Sequence, residues 1–340
     1  MPALVRGMGT PPGSYGPRCN TCGEDARRRR SASPARLDDH GTSPEDLSYL
    51  GRDGGLATLQ TKQMVQARWK LSAEEKRTFH EGGVVIRRGL YRDDEVGVAR
   101  AALERLYRTA QTLRATGDHG GAFFALGLPP EGGAVVVQRV VWAGGAEPVL
   151  LRLSEDARLV EPALDLLGTR QCEQLLCPAH YKMPNDGVAF DWHQDIQHRD
   201  KGGDTWRDVT GLGSFVQTVL LVDDMTEVNG PLEFLPREAA TLDAAGRLVK
   251  DGGPVQVDTS RAVSVTGRAG DVLLFGPYAV HGSTPNASSS PRRVLINGYA
   301  APGANRRFYP GHGACRVLPV PGAHHAPAAP DADDADAAAQ

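Results

Sequence analysis

Residues 191–200 read Asp-Trp-His-Gln-Asp-Ile-Gln-His-Arg-Asp, and within them the pattern His-any-Asp occurs twice, as His193-Gln194-Asp195 and as His198-Arg199-Asp200. On a β-strand residues i and i+2 project to the same face, so either pair aims an imidazole and a carboxylate at one point, as a metal site requires. The pattern alone is weak, since a chain with 10 His among 340 residues shows such a triplet by chance on the order of once. Context separates the two. His193 follows Phe190 and Trp192 in a partly apolar stretch, whereas His198 is followed by Arg-Asp-Lys-Gly-Gly-Asp, the composition of a solvated loop. The His-Arg-Asp triplet also occurs in protein kinases, but no Asn stands five residues after Asp200 and no glycine-rich phosphate loop precedes it.

One His and one carboxylate hold iron poorly without a third ligand, and two His with one carboxylate is the set that leaves open positions on Fe(II). His281 supplies the third. It ends the segment Arg-Ala-Gly-Asp-Val-Leu-Leu-Phe-Gly-Pro-Tyr-Ala-Val-His, in which Gly270-Asp271 turns into an apolar strand and Gly276-Pro277 directs the chain onward. Alone, His281 would read as a core histidine bonded to a backbone carbonyl. Eleven residues further, Arg292 opens the next strand. A guanidinium donates two parallel hydrogen bonds to a planar carboxylate, so Arg292 reads as the anchor of a dicarboxylic cosubstrate that chelates the metal, with Ser283 as a second donor. Without the histidine, Arg292 and Arg293 would read as a solvated pair at a strand entrance.

The elements that must position these residues are short. Ser72 followed by Glu75 is a capping box for a helix through Phe79, ended by Gly82-Gly83. Residues 84–86 read as a strand, and Asp93 or Asp94 caps a second helix with Val96, Ala99, Leu103, Leu106, Ala110 and Leu113 on one face. A third helix spans about 156–167 and stops at Gly168, which makes the N-terminal portion α-rich. Beyond residue 170 the signal changes to β-like runs at 175–182, 214–222, 232–235, 263–265, 272–275 and 294–299, with Asn229-Gly230 as a hairpin turn between the second and third. Short strands without intervening helices imply a mainly β, α+β protein: an antiparallel sandwich or jelly roll (a double-stranded β-helix) with helices packed outside it.

The chain's 340 residues, 40% hydrophobic, suffice for a sizeable core. A net charge of -3 gives no nucleic-acid footprint, and the basic run at 27–30 lies in a Gly-, Pro- and Ser-rich segment that reads as disordered. No apolar run approaches a membrane span and no secretory signal is evident, so no membrane association and a cytoplasmic location are expected. Residues 1–60 are expected to be a disordered extension, 61–318 the folded domain, and 319–340, with His324 and His325, a disordered tail. The five cysteines do not make a disulfide framework; Cys19 and Cys22 form a CxxC with no second pair at zinc-finger spacing, which favours an inert tail over a structural zinc. Oligomeric state is not legible.

Taken together, Trp-His-Gln-Asp, then residues 218–236, then residues 270–293 resemble the phytanoyl-CoA dioxygenase family of Fe(II)- and 2-oxoglutarate-dependent oxygenases. The resemblance covers about residues 71–310, including the opening helix, strand and second helix. It implies that His193, Asp195 and His281 are the iron ligands and that Arg292 and Ser283 hold the distal carboxylate of 2-oxoglutarate. Lys182 matches a lysine of the family that faces cosubstrate or substrate, or else caps the strand end, and Gln217 sits where the family often has a residue near the cosubstrate. Where members commonly carry Pro-Gly-Ser-His, this chain has Pro236-Arg237-Glu238, so that loop does not transfer.

The implied chemistry uses Fe(II), 2-oxoglutarate and O2, with ascorbate as activator in vitro, to hydroxylate a C–H bond of a small molecule. Related halogenases replace the carboxylate ligand by a small residue, and Asp195 retains it. Desaturation, epimerisation, ring closure and demethylation need the same iron site. Candidate substrate-lining residues are Gln138, Arg139, Trp206, Arg306 and Arg307. The Arg-, Ala- and Gly-rich composition suggests a high-GC bacterium and thereby natural-product biosynthesis; acyl-CoA hydroxylation, a non-catalytic zinc-binding jelly roll and an iron dioxygenase needing no oxoacid are the alternatives.

Overall fold

Ser72 starts the first helix as its spacing from Glu75 implies. Glu75 N donates to Ser72 Oγ (3.1 Å) and Ser72 N to the Glu75 carboxylate (2.7 Å), so two otherwise orphaned donors are satisfied before α1 (Ala73–Gly82) begins. Gly83 closes it in the left-handed region at φ 79°. The computed structural model describes residues 69–127, 135–199, 205–249, 255–306 and 316–318. The expected extension 1–60 with its CxxC, the tail 319–340, Asp200 and Arg307 lie outside the described residues.

Strand β1 (Val84–Arg87) follows, then α2 (Asp93–Thr112), which buries Val96, Ala99, Ala102, Leu103, Leu106 and Ala110. Its cap differs from expectation: the Glu95 carboxylate reaches back to the Arg92 N–H (2.9 Å), so neither Asp93 nor Asp94 is the N-cap. The next stretch is not α-rich. Strands β2 (Gly117–His119), β3 (Ala122–Gly127) and β4 (Val136–Val141) extend a sheet, and helices α3 (Ala143–Ala146), α4 (Pro148–Ser154) and α5 (Ala157–Leu167) come after them. Asp156 caps α5 by accepting from Arg158 N, and Gly168 ends it at φ 64°.

The expected strand at 175–182 is two strands, β5 (Glu173–Leu176) and β6 (Ala179–Lys182), lying in succession along one edge of β13 (Arg292–Ala300). Pro178 has no N–H to give the ladder, which interrupts it there. The remaining elements are β7 (Phe190–His193), α6 (Ile196–Arg199), β8 (Phe215–Leu221), β9 (Leu232–Leu235), β10 (Val263–Val265), β11 (Val272–Phe275), β12 (Val280–Ser283) and β14 (Arg316–Val317).

These form a 10-stranded sheet with the path β1-β11-β8-β13-β6-β4-β3-β2, to which β5 and β14 attach, and a 4-stranded sheet ordered β10-β9-β12-β7. All pairings are antiparallel among the described residues. The two sheets make the jelly roll. Asn229-Gly230 is therefore not a hairpin turn, because β8 belongs to one sheet and β9 to the other. Asn229 instead shapes a crossing, accepting from Thr226 N (2.8 Å) and donating to Asp224 O (2.8 Å), while Gly230 adopts φ 76°.

Two cores fix this architecture. Outside the large sheet, α2 and α5 pack Leu103, Leu106, Leu159 and Val160 against Leu220, Leu295 and Tyr299. Between the sheets, Val219, Leu221, Leu273, Phe275 and Val294 meet Phe234. Successive side chains of a strand alternate between these cores, so Gln217, two before Val219, and Arg292, two before Val294, point to the concave side.

Candidate metal centre and anion pocket

Strands β7 and β12 are neighbours with His193 directly opposite His281, which places both imidazoles on one face with ring centroids 4.2 Å apart. Asp195 follows two residues after His193 in the turn before α6. Its Oδ1 lies 3.7 Å from His193 Nε2 and its Oδ2 3.6 Å from His281 Nε2, and the potential ligand atoms of the three residues all fall within 4.8 Å of one another.

The backbone sets which nitrogen each ring presents. His193 Nδ1 meets Asp191 O at 2.7 Å and His281 Nδ1 meets Ala279 O at 2.9 Å. A carbonyl only accepts, so each Nδ1 carries the hydrogen and each Nε2 turns a lone pair toward the shared point, the tautomer a divalent cation needs. Burial and the neighbouring His281 push the His193 imidazolium down to about 3, which keeps that ring neutral. Burial acts to raise the Asp195 carboxyl, but the facing imidazoles, His281 first, outweigh it and hold the group below its ordinary value. Neutral imidazoles and an ionised carboxylate are the ligand forms of a metal site. Phe275 and Phe234 wall His281 with centroids at 4.8 and 5.7 Å.

Of the second triplet, His198 lies in α6 and is exposed, with its ring 5.6 Å from that of His193.

At the far end of the same concave surface, Arg292 on β13 stands opposite Lys182 on β6, and both side chains are buried. Arg292 Nε donates to Gly230 O at 3.1 Å, and its Nη2 donates to the same oxygen. Lys182 Nζ donates to Ser283 Oγ at 2.7 Å and to Thr284 O. Neither cation has a carboxylate in ion-pair contact among the described residues. Burial pushes Arg292 down to about 10, and burial with the charge of Arg292 pushes Lys182 down to about 6. Keeping both of these buried basic groups charged at once is costly without an anion, and a carboxylate that joins them removes that cost. A group with one carboxylate for this pocket and an oxoacid end for the three-residue centre fits the donor set.

A family model described as phytanoyl-CoA dioxygenase matches residues 79–294, more than half of the chain. The chain belongs to the phytanoyl-CoA dioxygenase family. It is an oxygenase of the Fe(II)- and 2-oxoglutarate-dependent class, and its curated relatives are named as dioxygenases and a hydroxylase. An ectoine dioxygenase of Bordetella bronchiseptica is 26% identical over 249 residues, covering 67% of this chain and 75% of the relative. That of Halomonas elongata is 26% identical over 279 residues, covering 76% of each. Among solved structures, EctD from S. alaskensis with 2-oxoglutarate and 5-hydroxyectoine matches with a TM-score of 0.55 at 24% identity, covering 73% of this chain and 85% of that one, a likeness of fold.

The remaining candidates of this dioxygenase scatter. Gln217, expected to face the cosubstrate, donates through Nε2 to Asp195 Oδ2. Arg139 lies opposite His180 on β6 and Ala125 on β3, while Gln138 is the extra residue of a β-bulge, since Val137 already pairs with Leu126. Trp206 pairs with Asn305 and packs edge-on against Phe215 at 5.4 Å, in a small cluster with Ile196 that adjoins Asp195 in sequence. Arg306 is exposed.

One residue at the site escaped sequence reasoning. His180, two residues before Lys182 on β6, stacks on Phe190 at 5.1 Å, and burial followed by the charge of Arg139 holds its pKa well below the ordinary value. Its signal was available in the i, i+2 spacing to Lys182. No helix among the described residues is long and apolar enough to cross a membrane. A cavity of about 350 Å³ between α1, the 276–280 segment and Leu212 borders Phe234 and Val280 but excludes the three converging residues.

Proposed function

We propose that this protein hydroxylates a C–H bond of a small molecule, with iron bound by His193, Asp195 and His281 and the distal carboxylate of 2-oxoglutarate bound by Arg292, Lys182 and Ser283. The observation that carries the reading is the pairing of two features on one concave surface: three convergent ligand atoms within 4.8 Å, and a buried arginine and lysine with no carboxylate in ion-pair contact among the described residues. When bound, Fe(II) and 2-oxoglutarate supply the oxidising power to place one oxygen atom of O2 in a C–H bond, the oxoacid leaving as succinate and CO2.

The chain's own residues do the positioning. Asp191 O and Ala279 O lock the two imidazoles with Nε2 inward. Arg292 and Lys182 neutralise and orient the distal carboxylate, and Phe234 and Phe275 keep water from the His281 side. Asp195 supports oxygen transfer over halogenation, because its carboxylate occupies the position a halide would need.

The substrate is a small molecule, as it is for the relatives named ectoine dioxygenase and L-proline trans-4-hydroxylase. The composition favours bacterial natural-product biosynthesis in the cytoplasm. A zinc-binding module is disfavoured, because it has no use for a buried Arg292–Lys182 pair.

The test is succinate formation from 2-oxoglutarate by the purified protein with Fe(II) and ascorbate, comparing wild type with His281→Ala and Arg292→Ala. Turnover in wild type and its loss in both variants is expected. Equal turnover in all three proteins would refute the assignment.

A further inference from the structure

Strand β8 reads Phe-Val-Gln-Thr-Val-Leu-Leu and is buried at every position, yet Gln217 places a primary amide in the space between the sheets, in line with Val219 and Leu221. A buried amide needs partners, and Gln217 finds one across the sandwich: Nε2 donates to Asp195 Oδ2. The bond joins the large sheet to the turn that follows β7 of the small sheet, so it spans the jelly roll at the metal centre.

The geometry points to Gln217 as a positioning residue that fixes how Asp195 meets the metal: its amide occupies Oδ2 and leaves Oδ1 as the ligand atom, so the carboxylate binds through one oxygen. The inference rests on the metal centre proposed above.

Three features support it. The carboxylate is poised with one oxygen toward each imidazole, 3.7 and 3.6 Å away, an orientation from which both oxygens could close on one ion if nothing claimed the second. Gln217 is confined to its task. On one side its cross-strand neighbour is Phe275, whose ring packs on His281 at 4.8 Å. On the other it is Gly298, where a Cβ would come within 3.0 Å of Leu176, so no side chain there competes for the amide. The third feature is room at the ion. Iron held by His193, Asp195 and His281 would supply the oxidising chemistry, and a second oxygen of Asp195 on the ion would compete with the cosubstrate and dioxygen for room there.

Outer-shell partners of metal ligands are worth about 10–100-fold in metal affinity or activity. The full-length variants Gln217→Leu and Gln217→Met keep the volume and remove the donor. Three measurements are made on each: thermal unfolding of the metal-free protein, the dissociation constant for Mn(II) by titration calorimetry, and the dissociation constant of 2-oxoglutarate for the Mn(II)-loaded protein.

The expected result is folded protein, a Mn(II) dissociation constant raised about 10–100-fold, and a smaller change for 2-oxoglutarate. A folded variant that binds Mn(II) as wild type does overturns the inference. Loss of 2-oxoglutarate affinity at unchanged Mn(II) affinity also overturns it and assigns Gln217 to the cosubstrate. Wild type that fails to bind Mn(II) overturns the metal centre itself, and the Gln217 role with it.

Discussion

Lys182 offers the sharpest test of the anion pocket, because its burial makes cosubstrate binding depend on pH in a defined direction. Burial and Arg292 depress the ammonium to about 6, while Asp186 and Glu233 act weakly in the other sense. At pH 7.5 the side chain of the free protein is therefore mostly neutral. A carboxylate arriving between Arg292 and Lys182 favours the charged form and raises its pKa, so binding takes up a proton. The sign follows: affinity for the dianion falls as pH rises through about 6 and continues to fall until the higher pKa of the complex is reached.

The dissociation constant scales with the factor by which the protonated form is depleted, which gives about an eightfold weakening between about pH 6.5 and 7.5 and a limit of about tenfold per unit above that. Arg292, held at about 10, stays charged throughout, and His180 stays neutral, so neither bends the profile. The assay is anaerobic calorimetric titration of 2-oxoglutarate into Mn(II)-loaded protein, in two buffers of different ionisation enthalpy at several pH values. The expected uptake approaches one proton above pH 7, and Lys182→Met should abolish both the uptake and the slope. A pH-independent dissociation constant, or the same profile in Lys182→Met, would refute the assignment of Lys182 to the cosubstrate.

Two further outcomes are expected. Arg292→Ala removes a buried, charge-matched donor and should weaken 2-oxoglutarate by about 2–5 kcal/mol, roughly 30-fold or more, with Mn(II) affinity nearly unchanged in the same titrations. Asp195→Ala should abolish Mn(II) binding and succinate formation, whereas Asp200→Ala should leave both near wild type; comparable losses in the two would mean that the wrong His-any-Asp pair has been chosen.

Local signals in this chain were readable where neighbouring residues decide the outcome. Ser72 and Glu75 form their capping box, and Gly83 and Gly168 end helices, because a cap depends on three or four adjacent residues. The three ligand candidates His193, Asp195 and His281 were nameable from the sequence and do converge, although the i, i+2 strand rule is not what joins the first two, since β7 ends at His193 and Asp195 lies in the following turn. The family resemblance, drawn from the same segments, agrees with the matched family model.

What was hidden depends on distant partners. Residues 117–127 alternate too briefly to announce strands, and they become strands because β4 offers an edge. Asn229-Gly230 satisfies the same local geometry in a hairpin or in a crossing between sheets, and only the placement of β9 beside β12 decides. Pro178 marks a break that an apolar run concealed. The bond from Gln217 to Asp195 links residues 22 apart, one on the large sheet and one in the turn after a strand of the small sheet, which no periodicity reports.

Whether one surface holds both the metal and the oxoacid is tested most directly by the visible absorption of the anaerobic protein with Fe(II), before and after 2-oxoglutarate is added. A weak charge-transfer band that appears only with both, disappears in His281→Ala and requires far more 2-oxoglutarate in Arg292→Ala is the predicted result. A protein that stays colourless with both present would contradict the claim.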